Sequence, residues 1–197
     1  MKKAFLAAGL ALAIAGAGLA TPAAAAPEKY VLDASHSQIV FAYNHLGYST
    51  TYGMYSGFDG ELMLDADNPE ASSVKVSFPV KSMITGWDKR SAHFLDDNDF
   101  FKVSEHPDVT FVSTKIERTG DKTANITGDL SMNGMTKEVV IAATLNQVSD
   151  HPMKKKGWAG FDGETTVLRS DFGVGKFAPF VSDEVKLMIS IEAMKAE

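Results

Sequence analysis

Alternation of apolar and polar residues constrains this chain more than any other feature. Val74, Val76, Phe78 and Val80 stand on one parity, with Lys75, Ser77, Pro79 and Lys81 on the other. The pattern recurs in Ala124, Ile126, Gly128, Leu130 and Met132, and again in Val185, Leu187, Ile189 and Ile191. Successive side chains of an extended chain point to opposite faces, so each segment reads as a strand with one buried face. Such half-buried strands belong to antiparallel sheets. Weaker segments fill the gaps: Tyr30–Asp33, Gln38–His45, Met54–Leu64, Val109–Glu117, Lys137–Asn146 and Trp158–Leu168. Reversals are expected at Asp67-Asn68-Pro69, Thr119-Gly120-Asp121, Asn133-Gly134 and Lys156-Gly157, with Asn133-Gly134 the strongest hairpin signal. About nine short strands separated by such turns predict an all-β barrel or sandwich.

One stretch does not alternate. Asp88–Asp99 places Ala92, Phe94 and Leu95 at helical spacing among charges, which predicts a short helix on the barrel or across its mouth. Asp96-Asp97-Asn98-Asp99 reads as its polar end. A further turn of helix is expected after His45.

On the inward parity, Ser56, Gly60, Gly128, Ala143, Gly163 and Thr165 interleave with Phe58, Phe78, Phe161 and Val167. Two packings fit this. Small residues among aromatics can leave an elongated apolar hole, or they can accommodate the taper of a filled barrel.

The first 25 residues read as an address. Lys2 and Lys3 precede the apolar run Ala4–Ala20, and small residues follow up to Pro27. That is the build of a secretory signal, with a retained membrane anchor as the alternative; cleavage is expected after Ala25, with a periplasmic destination or secretion to the medium. Residues 26–197 then form one domain. Without Lys2 and Lys3 the 19 basic residues become 17 against 25 acidic ones, a formal charge of −8. Such an acidic domain is repelled by nucleic acid.

Composition narrows the chemistry. The chain has no cysteine, which excludes disulfides, thiolate metal sites and a thiol nucleophile. The five histidines, His36, His45, His93, His106 and His151, show no metal-ligand spacing. Asp65-Ala66-Asp67-Asn68 runs into Pro69 and Glu70 where a calcium loop needs its turn glycine. Gly173-Val174-Gly175-Lys176 is too short for a phosphate loop, and Phe177 stands where Ser or Thr is required. There is no G-x-S-x-G elbow. No catalytic residue, metal or cofactor is therefore expected. Lys154-Lys155-Lys156 reads as an exposed hairpin tip, with contact to anionic lipid as the alternative.

The order of the remaining motifs is specific. Tyr30-Val31-Leu32-Asp33-Ala34-Ser35-His36-Ser37 leads to His45-Leu46-Gly47-Tyr48-Ser49 and Gly57-Phe58-Asp59-Gly60. Thr85-Gly86, Arg90, His93-Phe94-Leu95 and Asp99-Phe100-Phe101 follow, then His106-Pro107-Asp108-Val109-Thr110-Phe111. Gly128-Asp129-Leu130-Ser131-Met132-Asn133-Gly134 and Arg169-Ser170-Asp171-Phe172-Gly173 come next, and Val181, Asp183, Val185 and Glu192 close the series. From Tyr30 to Ala193 this order closely resembles the YceI-like family of exported polyisoprenoid-binding proteins.

The resemblance implies a single lipocalin-like antiparallel β-barrel of about eight strands with one or two short helices. It also implies an isoprenoid lipid as ligand, either a polyprenyl diphosphate or an isoprenoid quinone, with other long amphiphiles in some relatives. It further implies a cytochrome b561-type membrane partner and a homodimer for some members. An eight-stranded barrel is wide enough for one slender ligand. At roughly 0.8 kcal/mol per buried methylene, a 40-carbon chain gives a gross ~30 kcal/mol. Observed affinities saturate near ~20 kcal/mol, so the tail alone can supply affinity and mouth residues would select the head group.

Phe41, Tyr43, Phe58, Phe78, Phe111, Met132, Phe161 and Phe172 are the expected lumen residues, with plain core packing as the alternative. Phe94 and Leu95, with Phe100 and Phe101, are expected to close one end. His93 and Arg169 are the candidate head-group contacts. Asp33, His36, His45, Asp129 and Asp171 match family positions and are assigned turn and hydrogen-bonding roles. Three functions follow: a non-catalytic periplasmic lipid carrier, an accessory of a b561-type cytochrome, and an enzyme acting on the bound lipid.

Overall fold

The computed structural model describes residues 26–96 and 100–197. The expected signal and residues 97–99 of the expected helix lie outside that range. Ten strands are present: β1 (Glu28–Leu32), β2 (Gln38–His45), β3 (Ser49–Tyr55), β4 (Asp59–Leu64) and β5 (Ser73–Pro79). After helix α1 (Asp88–Asp96) come β6 (Asp108–Arg118), β7 (Thr123–Met132), β8 (Met135–Asp150), β9 (Gly157–Leu168) and β10 (Glu184–Lys195).

Ten strands make eight walls. β1 and β2 both pair antiparallel with β10, through Tyr30–Lys195 and Ala42–Lys186 respectively. They are one wall bent at residues 33–37. β3 pairs with β2 and β4 with β1, so they form a second wall, bent at residues 56–58. Gly57 supplies the second bend with φ 72°, a conformation open to glycine at little cost. The remaining walls follow in sequence order, each antiparallel to the last, and β10 closes the sheet on β1 and β2. Closure leaves β3 as an edge, covered on its free side by the single bridge Met54–Ile84.

Three expectations are corrected. The continuous strand Met54–Leu64 is broken, because Gly57 turns the chain and Phe58 dives into the core. No helix follows His45. Leu46 and Gly47 both take positive φ (57° and 78°) and form the tip of the β2–β3 hairpin. β8 runs to Met135–Asp150 rather than Lys137–Asn146. Its ends pair with β7 and β9 where side chains are exposed, so no hydrophobic pattern marks them.

The two ends of the barrel differ. Tyr30, Leu62, Leu64, Ala159 and Ala193 form a small solid cluster at the far end. Ala159 and Ala193 face each other across β9 and β10 and are wholly buried, so the walls meet closely there. The opposite, mouth end carries the β2–β3 hairpin, the β5–β6 connection with α1, the β7–β8 turn and the long β9–β10 connection.

The β1–β2 bend is held by polar contacts. The Asp33 carboxylate accepts from the Ser35 amide (2.9 Å) and hydroxyl (2.6 Å), and lies 2.7 Å from His36 Nδ1. Buried Ser37 donates to the Asp33 carbonyl at 2.7 Å. Glu192 approaches from β10 and accepts the Trp158 indole N–H at 2.7 Å.

Candidate functional site

A cavity of about 680 Å³ occupies the barrel and opens at the mouth end. Small-molecule pockets measure roughly 300–1,000 Å³, whereas voids in a filled core barely hold a water. The alternation of the strands creates this lining, because every wall sends one parity inward. Val139, Ile141, Leu187 and Ile189 point into the cavity yet stay partly exposed, since they border space rather than packed atoms.

The small inward residues divide between the two packings. Ala143, Gly163 and Thr165 line the cavity and give it width on the β8–β9 side. Gly128 leaves no such room. A Cβ there would lie 2.5 Å from both the Phe111 ring and the Val112 carbonyl. A Cβ at Gly60 would collide with the Lys75 carbonyl. These glycines serve close approach of neighbouring walls.

Aromatic rings line the opposite wall in sequence. Tyr43 stacks near Phe41 (6.5 Å between centroids), Phe41 meets Tyr55 (5.4 Å), Tyr55 meets Phe78 (5.1 Å) and Phe78 meets Phe58 (4.7 Å). Gly53 permits the chain, because any Cβ there would strike the Phe41 ring. Burial pushes the Tyr55 hydroxyl above the usual phenol range, so it stays neutral inside the lumen.

The expected lumen residues are mostly brought together. Phe41, Tyr43, Phe58, Phe78, Phe111, Met132 and Phe161 all reach the cavity wall. Phe172 does not. It ends the tight helical turn Arg169–Phe172, where the period-two pattern stops, and it packs wholly inside the solid core. At the mouth, Phe94, Phe100 and Phe101 reach the cavity, and Leu95 packs against the core without reaching it. Sequence reasoning omitted Tyr55, Met83, Leu187 and Ile189, which also line the cavity. Inward parity was the available signal for Tyr55, Leu187 and Ile189, whereas Met83 follows the helical turn Val80–Ser82 and carries no strand period.

The opening is framed by Trp87, Lys89, Arg90 and His93 from the α1 region and by Lys176 and Phe177 from the β9–β10 connection. The Arg90 guanidinium lies 5.8 Å from the Trp87 ring, and the Lys176 ammonium 5.2 Å from Phe177. The His93 ring meets Phe100 edge-on at 5.1 Å. Arg169 also reaches the cavity wall, but four of its N–H bonds go to the carbonyls of Ser182, Val174, Lys176 and Val181. It clamps the β9–β10 connection. Burial draws its pKa below the usual guanidinium value, with Asp183 opposing.

Buried Asn133 ties the mouth together. Its Oδ1 accepts the Lys102 amide at 2.8 Å, and its Nδ2 donates to the carbonyls of Phe172 (3.0 Å) and Phe100 (3.3 Å). One side chain thus joins the β7–β8 turn, the β9–β10 connection and the segment after α1. Asn133-Gly134 was legible as a turn, but not as this junction.

Away from the lumen, ligand atoms of Asp33, His36 and Glu192 lie within 4.8 Å of one another. Histidine spacing could not show this set, since Glu192 arrives from β10. Here the groups form an ion pair. The hydrogen bond and charge of Asp33, then the charge of Glu192, raise His36 above the usual histidine range. Burial alone would raise Asp33, but hydrogen bonds from Ser35 and His36 outweigh it and lower its pKa. The raised His36 stabilises fully below its unfolded value, about 6.5, and loses that contribution as pH rises through the folded value. The lowered Asp33 stabilises above its unfolded value, about 3.9, and loses it as pH falls through the folded value. The stability difference between wild type and His36→Gln is therefore expected to peak between these two pH limits. Thermal unfolding across pH reads this; a difference that grows above neutrality contradicts it.

Comparison with known proteins agrees with this architecture. The family model described as a YceI-like domain matches residues 30–193. A UPF0312 protein of Azotobacter vinelandii is 41% identical over 198 residues, covering 99% of each chain. The crystal structure of the Campylobacter jejuni YCEI protein is 28% identical with a TM-score of 0.70, covering 78% of this chain and 90% of that one. A polyisoprenoid binding domain from Saccharophagus degradans shares the fold at 12% identity, with a TM-score of 0.64 over 85% of this chain and 98% of that one. With the match spanning nearly the whole described barrel, this chain belongs to the YceI-like family.

Proposed function

We propose that this protein is an exported, non-catalytic carrier that holds one long isoprenoid lipid in the barrel lumen, with its head group at the mouth. The observation that carries the proposal is the cavity of about 680 Å³, walled along its depth by aliphatic and aromatic side chains. Such a wall offers burial to a hydrocarbon tail and little to a polar solute. The charged residues on its wall include Lys89, Arg90 and Lys176 at the opening, where a diphosphate or quinone oxygen would be met. The name of the Saccharophagus degradans domain supports the ligand class.

The test is the identity of the molecule that copurifies. Protein isolated gently from an exporting bacterial host is expected to begin at Ala26 and to yield one isoprenoid lipid per chain by native mass spectrometry and extraction. A periplasmic fraction that is lipid-free and takes up no isoprenoid from micelles would overturn the reading. Turnover of an added polyprenyl diphosphate would move the protein to the enzyme class.

A further inference from the structure

Four exposed aromatic residues are gathered on the connections at the mouth end of this barrel, and Tyr52 on β3 is also exposed. At the mouth, Tyr48 is 89% exposed, Phe180 77%, Trp87 57% and Phe177 54%, with Leu46 and Ile84 also exposed. Among the described residues, the connections at the far end carry one exposed large apolar side chain, Met153. Solvent exposure of that many large rings in one place marks an interaction surface.

These residues are held in place. The β2–β3 tip bearing Leu46 and Tyr48 is bridged to the β9–β10 connection through His45 and Val181, and the Ser182 amide donates to the Asn44 carbonyl at 3.0 Å. Arg169 clamps four carbonyls of the connection that carries Phe177 and Phe180. Phe177 itself has φ 68°, a disfavoured conformation for a bulky residue that this clamp maintains. Loops fixed in this way present their rings to a partner without first having to be ordered.

We infer that the mouth end docks on a phospholipid bilayer, seating Tyr48, Trp87 and Phe180 in its interfacial zone. Trp and Tyr favour that zone because an apolar ring and a polar N–H or O–H are both accommodated there. Lys89 and Arg90 stand beside Trp87, where they meet lipid phosphates while the rings enter below. Asp88 precedes Lys89 in the chain, so the attraction is local to Lys89 and Arg90. The inference rests on the carrier reading, which supplies the reason for docking. Each methylene exposed to water costs about fourfold in equilibrium, so a long isoprenoid cannot pass through water between bilayer and lumen. The mouth has to meet the membrane directly.

The chain's two tryptophans test this, because Trp87 lies at the mouth and Trp158 at the far end, 4.7 Å from His151. The probe is a vesicle of phosphatidylcholine and phosphatidylglycerol with bromine-labelled tails. Trp158→Phe protein, with Trp87 as reporter, is expected to show emission at shorter wavelength and quenching on vesicle addition. Trp87→Phe protein, reporting from Trp158, is expected to stay silent. The double variant Tyr48→Ser/Phe180→Ser, outside the cavity wall, should lose at least about tenfold in vesicle partitioning when loaded with lipid beforehand.

Several outcomes overturn docking: a silent Trp87, equal quenching of both reporters, or unchanged partitioning of the double variant. Quenching of Trp158 alone would place the contact at Lys154, Lys155 and Lys156. A dimer that buries Tyr48 and Phe180 and persists on vesicles would identify a second copy as the occupant. A silent Trp87 with isoprenoid in the extract removes docking and leaves the carrier. A lipid-free protein whose Trp87 is quenched removes the carrier instead.

Discussion

Replacing Ala143 with tryptophan is expected to empty the lumen of lipid while leaving the barrel folded. Ala143 sits mid-strand on β8, opposite Ala124 of β7 and Gly163 of β9, and it borders the cavity. An indole there projects into space rather than into packed atoms. Overpacking a filled core costs about 1–3 kcal/mol, and an open lumen should cost less. The loss falls on the ligand, whose tail must share the bore. Loading should drop at least about tenfold, since excluding only two or three methylenes forfeits that much. Extracted lipid per chain, measured beside thermal unfolding, reads both effects. A stable Ala143→Trp protein that still carries full lipid would place the ligand elsewhere. Gly128→Phe is the tempting alternative from the sequence, and it is the wrong test. Its first added carbon already meets the Phe111 ring and a backbone carbonyl, so that variant should fail to fold.

The second large effect is at Asn133. Changing it to leucine removes one acceptor and two donated hydrogen bonds inside the mouth. The Lys102 amide and two carbonyls are then left without their partner, at about 1–3 kcal/mol for each group that water cannot reach. Asn133 also holds φ 55°, which asparagine tolerates better than leucine. A total loss of about 2–4 kcal/mol is expected, read as a fall of roughly 5–15 °C in Tm. Asn133→Gly separates the two causes, because it keeps the backbone conformation and loses only the side-chain bonds. If the leucine and glycine variants both unfold within a degree or two of wild type, the junction contributes little. Because Asn133 anchors the segment after α1, both variants should also release bound lipid faster.

Strand content was highly legible. Gln38–His45 is recovered to the residue, and β5, β7 and β10 follow the predicted parities. A half-buried strand writes its own period into the chain, and each residue needs only its neighbours two positions away to be read. What failed was whatever depends on a partner strand. The bend at Gly57 divides one predicted strand, and the extra length of β8 is set by pairing rather than by its own polar residues.

The site was legible in kind and not in detail. Inward aromatics could be named because parity and the family resemblance pointed the same way. Phe172 was expected in the lumen and packs in the core instead, since it lies where regular alternation ends. Arg169 was a candidate head-group contact, yet four of its N–H bonds go to carbonyls 5 to 13 residues away.

The sequence by itself determined that this is an all-β chain of the YceI-like family, with one apolar face on each strand. Only the tertiary structure decided which small inward residues leave space and which are filled. Ala143 and Gly128 look alike on their strands, and they differ because Phe111 of β6 lies over Gly128 whereas Ala143 borders the cavity. Period and composition act along the chain, whereas a cavity is defined by atoms from walls distant in sequence.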